Sequence, residues 1–570
     1  MFGKWHRFRA GLALLGVLAV FGALLGRLAW IQLREHSRYA DLARARHLQK
    51  VEIPAKRGMI LDRNGRKLAT SVQVNSVFAC PNDIADGNKE SVARGLSGTL
   101  KLPYTKVLAL LQKDKDFIWI KRKVSAAEES ALTRAKLEGV GLRAESQRFY
   151  PNDKLACHVL GFGDIDNKGL EGLEAAFNPE LAGQSGYTVV ERDGRQRQIS
   201  KIDRPVVEPQ HGNNLVLCLD IVVQTIAEEE LDAACNKWNP TSACAIVMLP
   251  STGDVLALVS RPAFDPNAPG QYPAASRRNI CVTDSYEPGS TFKPFVVSAV
   301  LQRGLAKEDD IFFCHNGLFV VGSRRLHDHH PYGNLTVTDI LAKSSNVGMA
   351  KLGLLLGPDN LYRCVTAYGF GKKTGVELPG EVPGMVRPRK AWSQFTMTSV
   401  PMGSEIAVTP VQLITGFCAL ANGGALMQPK IVQSLTDMSG VAVKDCSVPK
   451  RVRQVISPTV ARQQLNPMMI KVVNEGTGKA SRLAEYQVAG KTGTAQKLEG
   501  NVYSHSKFVS SFVGYAPANA PQVVVLVMMN EPKNGAYYGG TVAAPAVGQI
   551  IRRTLNYMNV EPCYVQSARL

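Results

Sequence analysis

The longest apolar stretch of the 570-residue chain lies near its N-terminus. Residues 10–26 are all apolar or glycine, and the apolar pattern continues past one arginine to residue 33. Because that arginine can reach the interface, residues 10–33 are predicted to span a bilayer as one helix. Three basic residues and no acidic one precede the run, which predicts a cytoplasmic tail over residues 1–9 and an exported remainder. A cleaved signal peptide is the alternative, but no small-x-small site ends the run.

Short alternating segments follow between residues 36 and 210, which we interpret as a separate non-catalytic domain. Met59-Ile60-Leu61 and Lys67-Leu68-Ala69 flank an Asn-Gly pair, a pattern that predicts a β-hairpin. Residues 125–137 have a helix-like composition and a serine at the start, which favours a capped helix.

A further helix is predicted over residues 170–181, and it carries two glutamates. Glu171 and Glu174 could form a carboxylate pair for glycosidic chemistry, which requires carboxylates placed on opposite sides of a sugar. Their i,i+3 spacing on a helix expected to be exposed is more typical of a solvated face, which is the interpretation we adopt.

The second half of the chain alternates strand-like and helix-like segments from a boundary near His211. This order predicts a mixed sheet covered by helices over residues 211–556, followed by a tail over 557–570. The predicted strands are 215–220, 243–249, 255–259, 486–489, 508–514 and 523–529, and the predicted helices are 222–234 and 542–556.

Composition is that of a globular protein, with 45% hydrophobic and 20% charged residues, but the formal net charge is +19. Such a charge suits an anionic partner. Nucleic acid is disfavoured, since no basic run is interleaved with aromatic residues and the N-terminus indicates export. Anionic lipid headgroups or cell-wall polymers fit better.

The eleven cysteines are odd in number, scattered and without a C-x-x-C pair. This distribution indicates neither a disulfide framework nor a zinc site. Cys218 and Cys244 lie in strand-like apolar runs and are predicted to be small core residues. The sequence leaves one disulfide bond as an alternative, because the chain is predicted to be exported.

The first candidate catalytic motif is Ser290-Thr291-Phe292-Lys293. A Pro-Gly pair precedes this stretch and the apolar run 295–301 follows, so Ser290 is expected at a helix N-terminus. Free backbone N–H groups there favour developing negative charge. Lys293, one turn on, can reach the serine hydroxyl, and a partly desolvated lysine can act as its base.

Two other Ser-x-x-Lys copies begin at Ser447 and Ser504, so the pattern alone is weak. Only Ser290 is followed by Ser344-Ser345-Asn346 and then by Lys491-Thr492-Gly493-Thr494. A second Lys-Thr-Gly begins at Lys373, but its glycine-rich neighbours predict a loop, whereas Lys491 follows a strand-like run. We therefore favour Lys491.

The run His327-Asp328-His329-His330 contains residue types that can bind a metal. Adjacent residues in one loop seldom supply a full ligand set, and no remote cysteine or carboxylate pattern supports them. We predict instead a loop near the mouth of the active site, with no metal and no cofactor. The segment Tyr537-Tyr538-Gly539-Gly540-Thr541 either lines the groove beyond Lys491 or is structural.

Together these motifs resemble those of class B penicillin-binding proteins, membrane-anchored D,D-transpeptidases of peptidoglycan synthesis. Arg57-Gly58 with Asp62-Arg63-x-Gly65, and Leu160-Gly161-Phe162 through Gly169-Leu170-Glu171-Gly172, resemble the family's pedestal motifs. Residues 287–293 and 343–348 resemble the division-specific FtsI type more than the elongation type. The resemblance implies an α+β multidomain fold, with a mostly β or extended pedestal and a transpeptidase domain like serine β-lactamases.

It also implies a role for each motif residue. Ser290 would attack a D-Ala–D-Ala stem peptide with Lys293 as its base, Ser344 as a proton relay and Asn346 as a positioning group. Lys491 would lower the pKa of the Ser344 hydroxyl that relays the proton. With Thr492 and Thr494 it would also bind the terminal carboxylate of the substrate. Gly493 would leave space for a substrate strand. The N–H groups of Ser290 and Thr494 would form the oxyanion hole.

The implied partners are peptidoglycan stem peptides, β-lactams, the inner membrane, a polytopic SEDS glycosyltransferase of the FtsW type and other divisome proteins. Alternatives are an elongation- or sporulation-specific transpeptidase, a carboxypeptidase or β-lactamase, and a catalytically idle scaffold or sensor. A sensor needs an intracellular domain that about nine residues cannot form. An idle scaffold would be expected to lack Lys293 or Lys491.

Overall fold

A computed structural model describes residues 3–192, 198–200, 207–500 and 502–563. Contacts between residues divide the chain into two compact units. One is Met1–Lys56 with Gly183–His211, and the other is Arg57–Ala182 with Gly212–Leu570. The second unit thus includes the catalytic motifs and most of the region before them. The sequence-derived domain limits of 36–210 and 211–556 stay predictions.

The elements within the described residues are as follows. The α-helices are α1 Gly3–Leu33, α2 His36–His47, α3 Lys89–Leu100, α4 Tyr104–Leu111, α5 Ala126–Ala135, α6 Cys157–Leu160, α7 Gly172–Ala176, α8 Asn178–Ala182, α9 Ile221–Trp238, α10 Ile280–Thr283, α11 Lys293–Gln302, α12 Val337–Ala342, α13 Asn346–Leu356, α14 Pro358–Ala367, α15 Thr396–Ser399, α16 Pro410–Ala421, α17 Asn466–Asn474, α18 Gly539–Val542 and α19 Ala544–Tyr557. The strands are β1 Leu48–Ile53, β2 Ile60–Leu61, β3 Lys67–Ala79, β4 Ile118–Lys121, β5 Val140–Phe149, β6 Gly186–Arg192, β7 Gln198–Ser200, β8 Asn214–Leu217, β9 Ser242–Met248, β10 Val255–Arg261, β11 Ile311–Phe313, β12 Leu318–Val321, β13 Arg324–His327, β14 Asn334–Thr336, β15 Ala425–Met427, β16 Val432–Thr436, β17 Ala442–Asp445, β18 Arg451–Gln454, β19 Ala489–Glu499, β20 Val502–Ala516 and β21 Val523–Asn530.

The first unit contains the apolar N-terminal helix and a small sheet. An 18-residue window within helix α1 has a mean hydropathy of 2.2, and among the described residues this helix alone is long and apolar enough to cross a membrane. Strand β6 pairs antiparallel with β1 on one side and with β7 on the other.

The predicted hairpin before residue 70 is confirmed as β2 and β3, which pair antiparallel. The Asp62 carboxylate accepts hydrogen bonds from the backbone N–H groups of Asn64 and Arg66, each at 2.8 Å. Gly65 in this turn has a φ of +79°, which glycine adopts without strain. Strand β2 also pairs parallel with β8. The hairpin therefore joins the non-catalytic region before residue 211, here called the pedestal, to the catalytic half after it in one seven-stranded mixed sheet.

The predicted serine-capped helix is confirmed as α5. Ser125 Oγ accepts from the N–H of Glu128, and the Glu128 carboxylate accepts from the N–H of Ser125, which is a capping box. Helices α3, α4 and α5 pack with strands β3 and β4 around a separate apolar cluster in this part of the unit.

Glu174 is fully buried, so the expectation of a solvated helix face was wrong for this residue. The region 170–181 forms two short helices, α7 and α8, and Glu174 lies on the first. Its carboxylate pairs with Arg57 at 2.6 Å and with Arg148 at 2.5 Å. Glu171 instead stays partly exposed and pairs with Arg277 at 3.3 Å. The two arginines that bury Glu174 come from distant segments, which the local i,i+3 pattern could not reveal.

The catalytic half is built on a five-stranded sheet of order β10-β9-β21-β20-β19, in which every neighbouring pair is antiparallel. Alternate residues of β9 face opposite sides of this sheet. Ala243, Ala245 and Val247 pack with helices α9 and α19. Cys244 and Ile246 pack with helices α11 and α16. Both faces are therefore buried, and β19 lies at an edge.

Most predicted elements differ by some residues from those in the structure, and two of these differences lie in the last part of the catalytic half. The strand predicted over 486–489 begins only at Ala489 and continues to Glu499, so the Lys-Thr-Gly-Thr motif lies inside β19. The closing helix begins at Ala544 after the short helix α18, instead of at residue 542. All eleven cysteines are free thiols, and Cys218 and Cys244 are buried as predicted.

Candidate active site

Ser290 lies in a 3₁₀ turn, Gly289–Phe292, that leads directly into helix α11. Gly289 has a φ of +54°, which brings the turn close against β19. A Cβ added there would lie 3.2 Å from the carbonyl oxygen of Thr494. The helix-terminal placement predicted for Ser290 is therefore present, and the nucleophile candidate lies beside the strand that carries Lys491.

Lys293 is fully buried on the first turn of α11. Its Nζ donates to the Ser344 carbonyl oxygen at 2.6 Å, to Ser344 Oγ at 3.1 Å and to Asn346 Oδ1 at 2.9 Å. Burial lowers the pKa of Lys293 to about 7, although the Asp328 carboxylate opposes this shift. No hydrogen bond to Ser290 Oγ accompanies these contacts within the described residues. Catalytic hydrogen bonds often form fully only with a ligand bound.

Lys491 is also fully buried, and its Nζ donates to Ser344 Oγ at 3.1 Å. Burial, together with the nearby Lys293, lowers the pKa of Lys491 well below its usual value. The Ser344 hydroxyl thus lies between two buried amines, each at 3.1 Å. A hydroxyl held in this way can pass a proton between two nitrogen bases.

The Ser-x-Asn motif is held by a cap at the start of α13. Ser345 Oγ accepts from the N–H of Gly348 at 2.9 Å. Asp328 accepts from Ser345 Oγ at 2.7 Å, from Val347 N–H at 3.0 Å and from Asn346 N–H. Asn346 Nδ2 in turn donates to the carbonyl of His327 at 3.0 Å. The His327–His330 loop is therefore tied to this helix, which explains its position at the site.

The side chains of Thr492 and Thr494, which follow Lys491 on β19, are held by hydrogen bonds within the protein. Thr492 Oγ1 is hydrogen-bonded to Thr477 Oγ1 at 2.6 Å, and Thr494 Oγ1 accepts from Gly539 N–H at 3.1 Å. A Cβ on Gly493 would lie 2.6 Å from Ser511 Oγ. The close approach at Gly493 is thus made by the protein's own atoms.

These residues border a groove of about 700 Å³. Ser290, Ser344, Thr492 and Thr494 line it, while Lys293 and Lys491 lie buried next to it. Its remaining walls include His329, His330, Tyr332, Lys343, Glu475, Thr477, Lys479 and Tyr538. The interpretation of the histidine run as a loop at the groove is therefore confirmed, and Tyr538 lines the groove.

Sequence reasoning missed Asp328 as a support of the Ser-x-Asn helix, and it missed Thr477 entirely. In the sequence Asp328 stands out only as part of a histidine cluster. Thr477 lies in Gly476-Thr477-Gly478, between helix α17 and strand β19. A hydroxyl residue between two glycines ahead of the Lys-Thr-Gly strand was the only local signal for it.

The competing motifs lie elsewhere. Thr374 of the second Lys-Thr-Gly is bound by Glu381, which accepts from its N–H at 2.6 Å and closes a loop. Ser447 and Lys450 are exposed, and Lys507 pairs with Glu499 on the surface. These residues are absent from the lining of the groove that contains Ser290.

A groove lined by two serines, with two buried lysines next to it and an edge strand at its side, is the site of a serine enzyme of the penicillin-binding class. The model of the penicillin-binding protein transpeptidase domain matches residues 243–552, and the penicillin-binding protein dimerisation domain matches residues 52–217. The chain therefore belongs to the penicillin-binding protein transpeptidase family, and its two-domain architecture is that of class B.

Its relatives bear this out over nearly the whole chain. It is 33% identical to the probable peptidoglycan D,D-transpeptidase PenA of Neisseria gonorrhoeae, covering 97% of this chain and 93% of that protein. It is 32% identical to FtsI of Escherichia coli K12, with coverage of 96% and 91%. It is 35% identical to stage V sporulation protein D of Bacillus subtilis, with coverage of 96% and 85%.

Solved structures give the same result. Penicillin-binding protein 3 of Mycobacterium tuberculosis, in complex with aztreonam, has a TM-score of 0.70 at 28% identity. The match covers 90% of this chain and 98% of that one. A peptidoglycan synthetase from Bifidobacterium adolescentis has a TM-score of 0.73 at 26% identity and covers 91% of this chain and 98% of that one.

Proposed function

We propose that the chain is a peptidoglycan D,D-transpeptidase that acts through an acyl-enzyme on Ser290. The observation that carries this proposal is the Ser344 hydroxyl between Lys293 and Lys491, at the groove that Ser290 lines. The matched transpeptidase domain and the D,D-transpeptidase relatives support it independently.

In the first half-reaction Ser290 Oγ attacks the carbonyl carbon of the penultimate D-alanine in a stem peptide. Its proton passes to the neutral amine of Lys293, whose lowered pKa leaves a large neutral fraction at physiological pH. The peptide C–N bond then breaks, and the departing D-alanine amine takes a proton relayed through Ser344. The N–H groups of Ser290 and Thr494 receive the negative charge that develops on the carbonyl oxygen.

Lys491, Thr492 and Thr494 bind the terminal carboxylate of the donor peptide in this proposal. An arriving carboxylate favours the protonated form of Lys491, because an opposite charge raises the pKa of an amine. In the second half-reaction an amine of another stem peptide attacks the acyl carbon. As its bond to that carbon forms, the amine gives up a proton, which passes through Ser344 to Lys293. The ester bond to Ser290 then breaks, and the serine takes that proton from Lys293.

Acylation by a fluorescent penicillin, followed by peptide mapping, tests the nucleophile in the full-length, detergent-solubilised chain. We expect label on the peptide that contains Ser290, with a lifetime of hours, and loss of that label in Ser290→Ala. Ser447→Ala and Ser504→Ala are the matched controls, since each removes the serine of a competing Ser-x-x-Lys. Label that survives Ser290→Ala would refute the assignment, and turnover of penicillin within seconds would favour a β-lactamase.

Within this class we propose a role in septal wall synthesis, with α1 crossing the inner membrane, its N-terminus in the cytoplasm and the catalytic domain outside. The similarity to FtsI and the basic residues before α1 support this role and this topology. The proposed partners are a polytopic SEDS glycosyltransferase of the FtsW type and other divisome proteins.

If α1 packs against a helix of the glycosyltransferase, larger side chains on the contacting face of α1 should weaken the complex. Gly22 and Gly26 are four residues apart, so they share a face on which another helix can approach closely. A Cβ at either glycine meets no other atom of this chain within 4 Å. Gly22→Leu with Gly26→Leu is therefore expected to weaken co-purification with the glycosyltransferase and to give filamentous cells. Ala13→Leu adds bulk on the opposite face as the control, and equal effects of both changes would contradict the prediction.

A further inference from the structure

The turn that carries Ser290 lies against a second segment, residues 399–408. Tyr286 and Val408 exchange backbone hydrogen bonds at 3.0 and 2.9 Å, and Gly289 N–H donates to the Gly403 carbonyl at 3.1 Å. Gly403 has a φ of +82°, and a Cβ there would lie only 2.0 Å from the carbonyl oxygen of Gly289. A shift of the 399–408 segment would therefore move the turn that carries Ser290.

Glu405 in that segment has a left-handed backbone, with a φ of +61°. Such a conformation strains a residue other than glycine and persists only where the surroundings hold it. The Glu405 carboxylate is held by Ser399 Oγ at 2.6 Å, by Thr396 Oγ1 at 2.9 Å and by an ion pair with Arg387. These bonds fix the direction of the main chain at residue 405.

The main chain of Glu405 contacts the nucleophile segment directly. Its N–H donates to Glu287 Oε1 at 2.8 Å, and Tyr503 Oη donates to the same oxygen at 3.1 Å. Glu287 lies three residues before Ser290. Tyr503 lies on β20, the strand that pairs with the β19 strand of Lys491. One carboxylate oxygen thus joins the nucleophile turn, the 399–408 segment and the hairpin of the Lys-Thr-Gly motif.

We propose that Glu405 is a positioning residue for the acylation step. Its carboxylate holds the strained turn, and that turn, through Glu287 and Gly289, places Ser290 against β19. Glu405 is absent from the lining of the groove, so it acts on the position of the nucleophile and not on ligand binding. The inference rests on the proposed role of Ser290 as the nucleophile.

Stopped-flow acylation of the full-length, detergent-solubilised chain by a fluorescent penicillin tests this, because it separates the ligand Kd from the acylation rate constant. Glu405→Gly removes the carboxylate and relieves the backbone strain. We expect its acylation rate constant to fall by about ten- to a hundredfold, the effect of a small misplacement of a reacting group, with Kd changed less than about twofold. Glu405→Gln, which keeps one acceptor oxygen, is expected to lie between this variant and the wild type.

Glu381→Gln is the matched control, since the Glu381 carboxylate also closes a loop of the same domain but, among the described residues, makes no hydrogen bond to residues 286–290. It is expected to lower the melting temperature and to leave the acylation rate constant unchanged. A wild-type rate constant in Glu405→Gly, or equal losses in the Glu405 and Glu381 variants, would overturn the inference. Failure of the proposed function would look different, because label would then no longer depend on Ser290 in any variant.

Discussion

The rate of acylation by penicillin is expected to rise about tenfold per pH unit below pH 7 and to level off above it, as for a base with a single ionisation. In the proposed mechanism Lys293 accepts the serine proton, which only the neutral amine can do. Burial lowers its pKa to about 7, so the neutral fraction grows through that pH and is nearly complete about one unit above it. The measurement is the second-order rate constant of acylation between pH 5.5 and 9.

Lys293→Met should greatly lower the rate constant of acylation and abolish its dependence on pH. Methionine fills a similar space without a base, and loss of a general base typically lowers a rate by about 10²- to 10⁴-fold. Lys343→Met is the matched control, because Lys343 is an exposed lysine that lines the same groove. Its variant should keep the midpoint near pH 7. A Lys293→Met enzyme within tenfold of the wild type, or with an unchanged midpoint, would assign the base to another group.

Elements with a local signal were predicted well. The β2–β3 hairpin has an Asn-Gly turn, and α5 has a serine cap with a glutamate three residues on, so neighbours in sequence suffice for both. Strand β19 lacks such a signal. It lies at the edge of the sheet and carries Lys, Thr, Gln and Glu, so apolar alternation marked only the residues before it.

The residues of the candidate site also fall into two groups, those with a local sequence signal and those without one. Ser290, Ser344 and Lys491 can be singled out from the sequence because each belongs to a short motif in a fixed order, and the structure brings all three to one groove. Asp328 and Thr477 were missed because their roles depend on contacts made across the fold. Asp328 supports a helix 17 to 19 residues away, and Thr477 bonds to a threonine 15 residues away. No local pattern records such pairs.

Glu174→Gln is expected to be the most destabilising single change in the pedestal. The substitution keeps the shape of the side chain but leaves Arg57 and Arg148 buried without their shared counter-charge. Breaking a buried pair in this way costs about 3–5 kcal/mol, because the remaining charge stays desolvated. Arg148 Nη2 already lacks a hydrogen-bond partner within the described residues, so little can compensate.

Calorimetry should show the unfolding transition of the unit that contains Glu174 lower by on the order of 10 °C in Glu174→Gln, given the usual conversion of free energy to melting temperature. Glu90→Gln is the control, since Glu90 and Arg94 form an exposed pair at 3.4 Å. Removing an exposed pair should change stability by less than about 1 kcal/mol. Glu174 makes no contact with the groove, so Glu174→Gln should still be acylated at Ser290 below its melting temperature. Equal stability of the two variants would mean that the Arg57–Glu174–Arg148 cluster contributes no more than a surface pair, and that the apolar contacts around it hold the pedestal together.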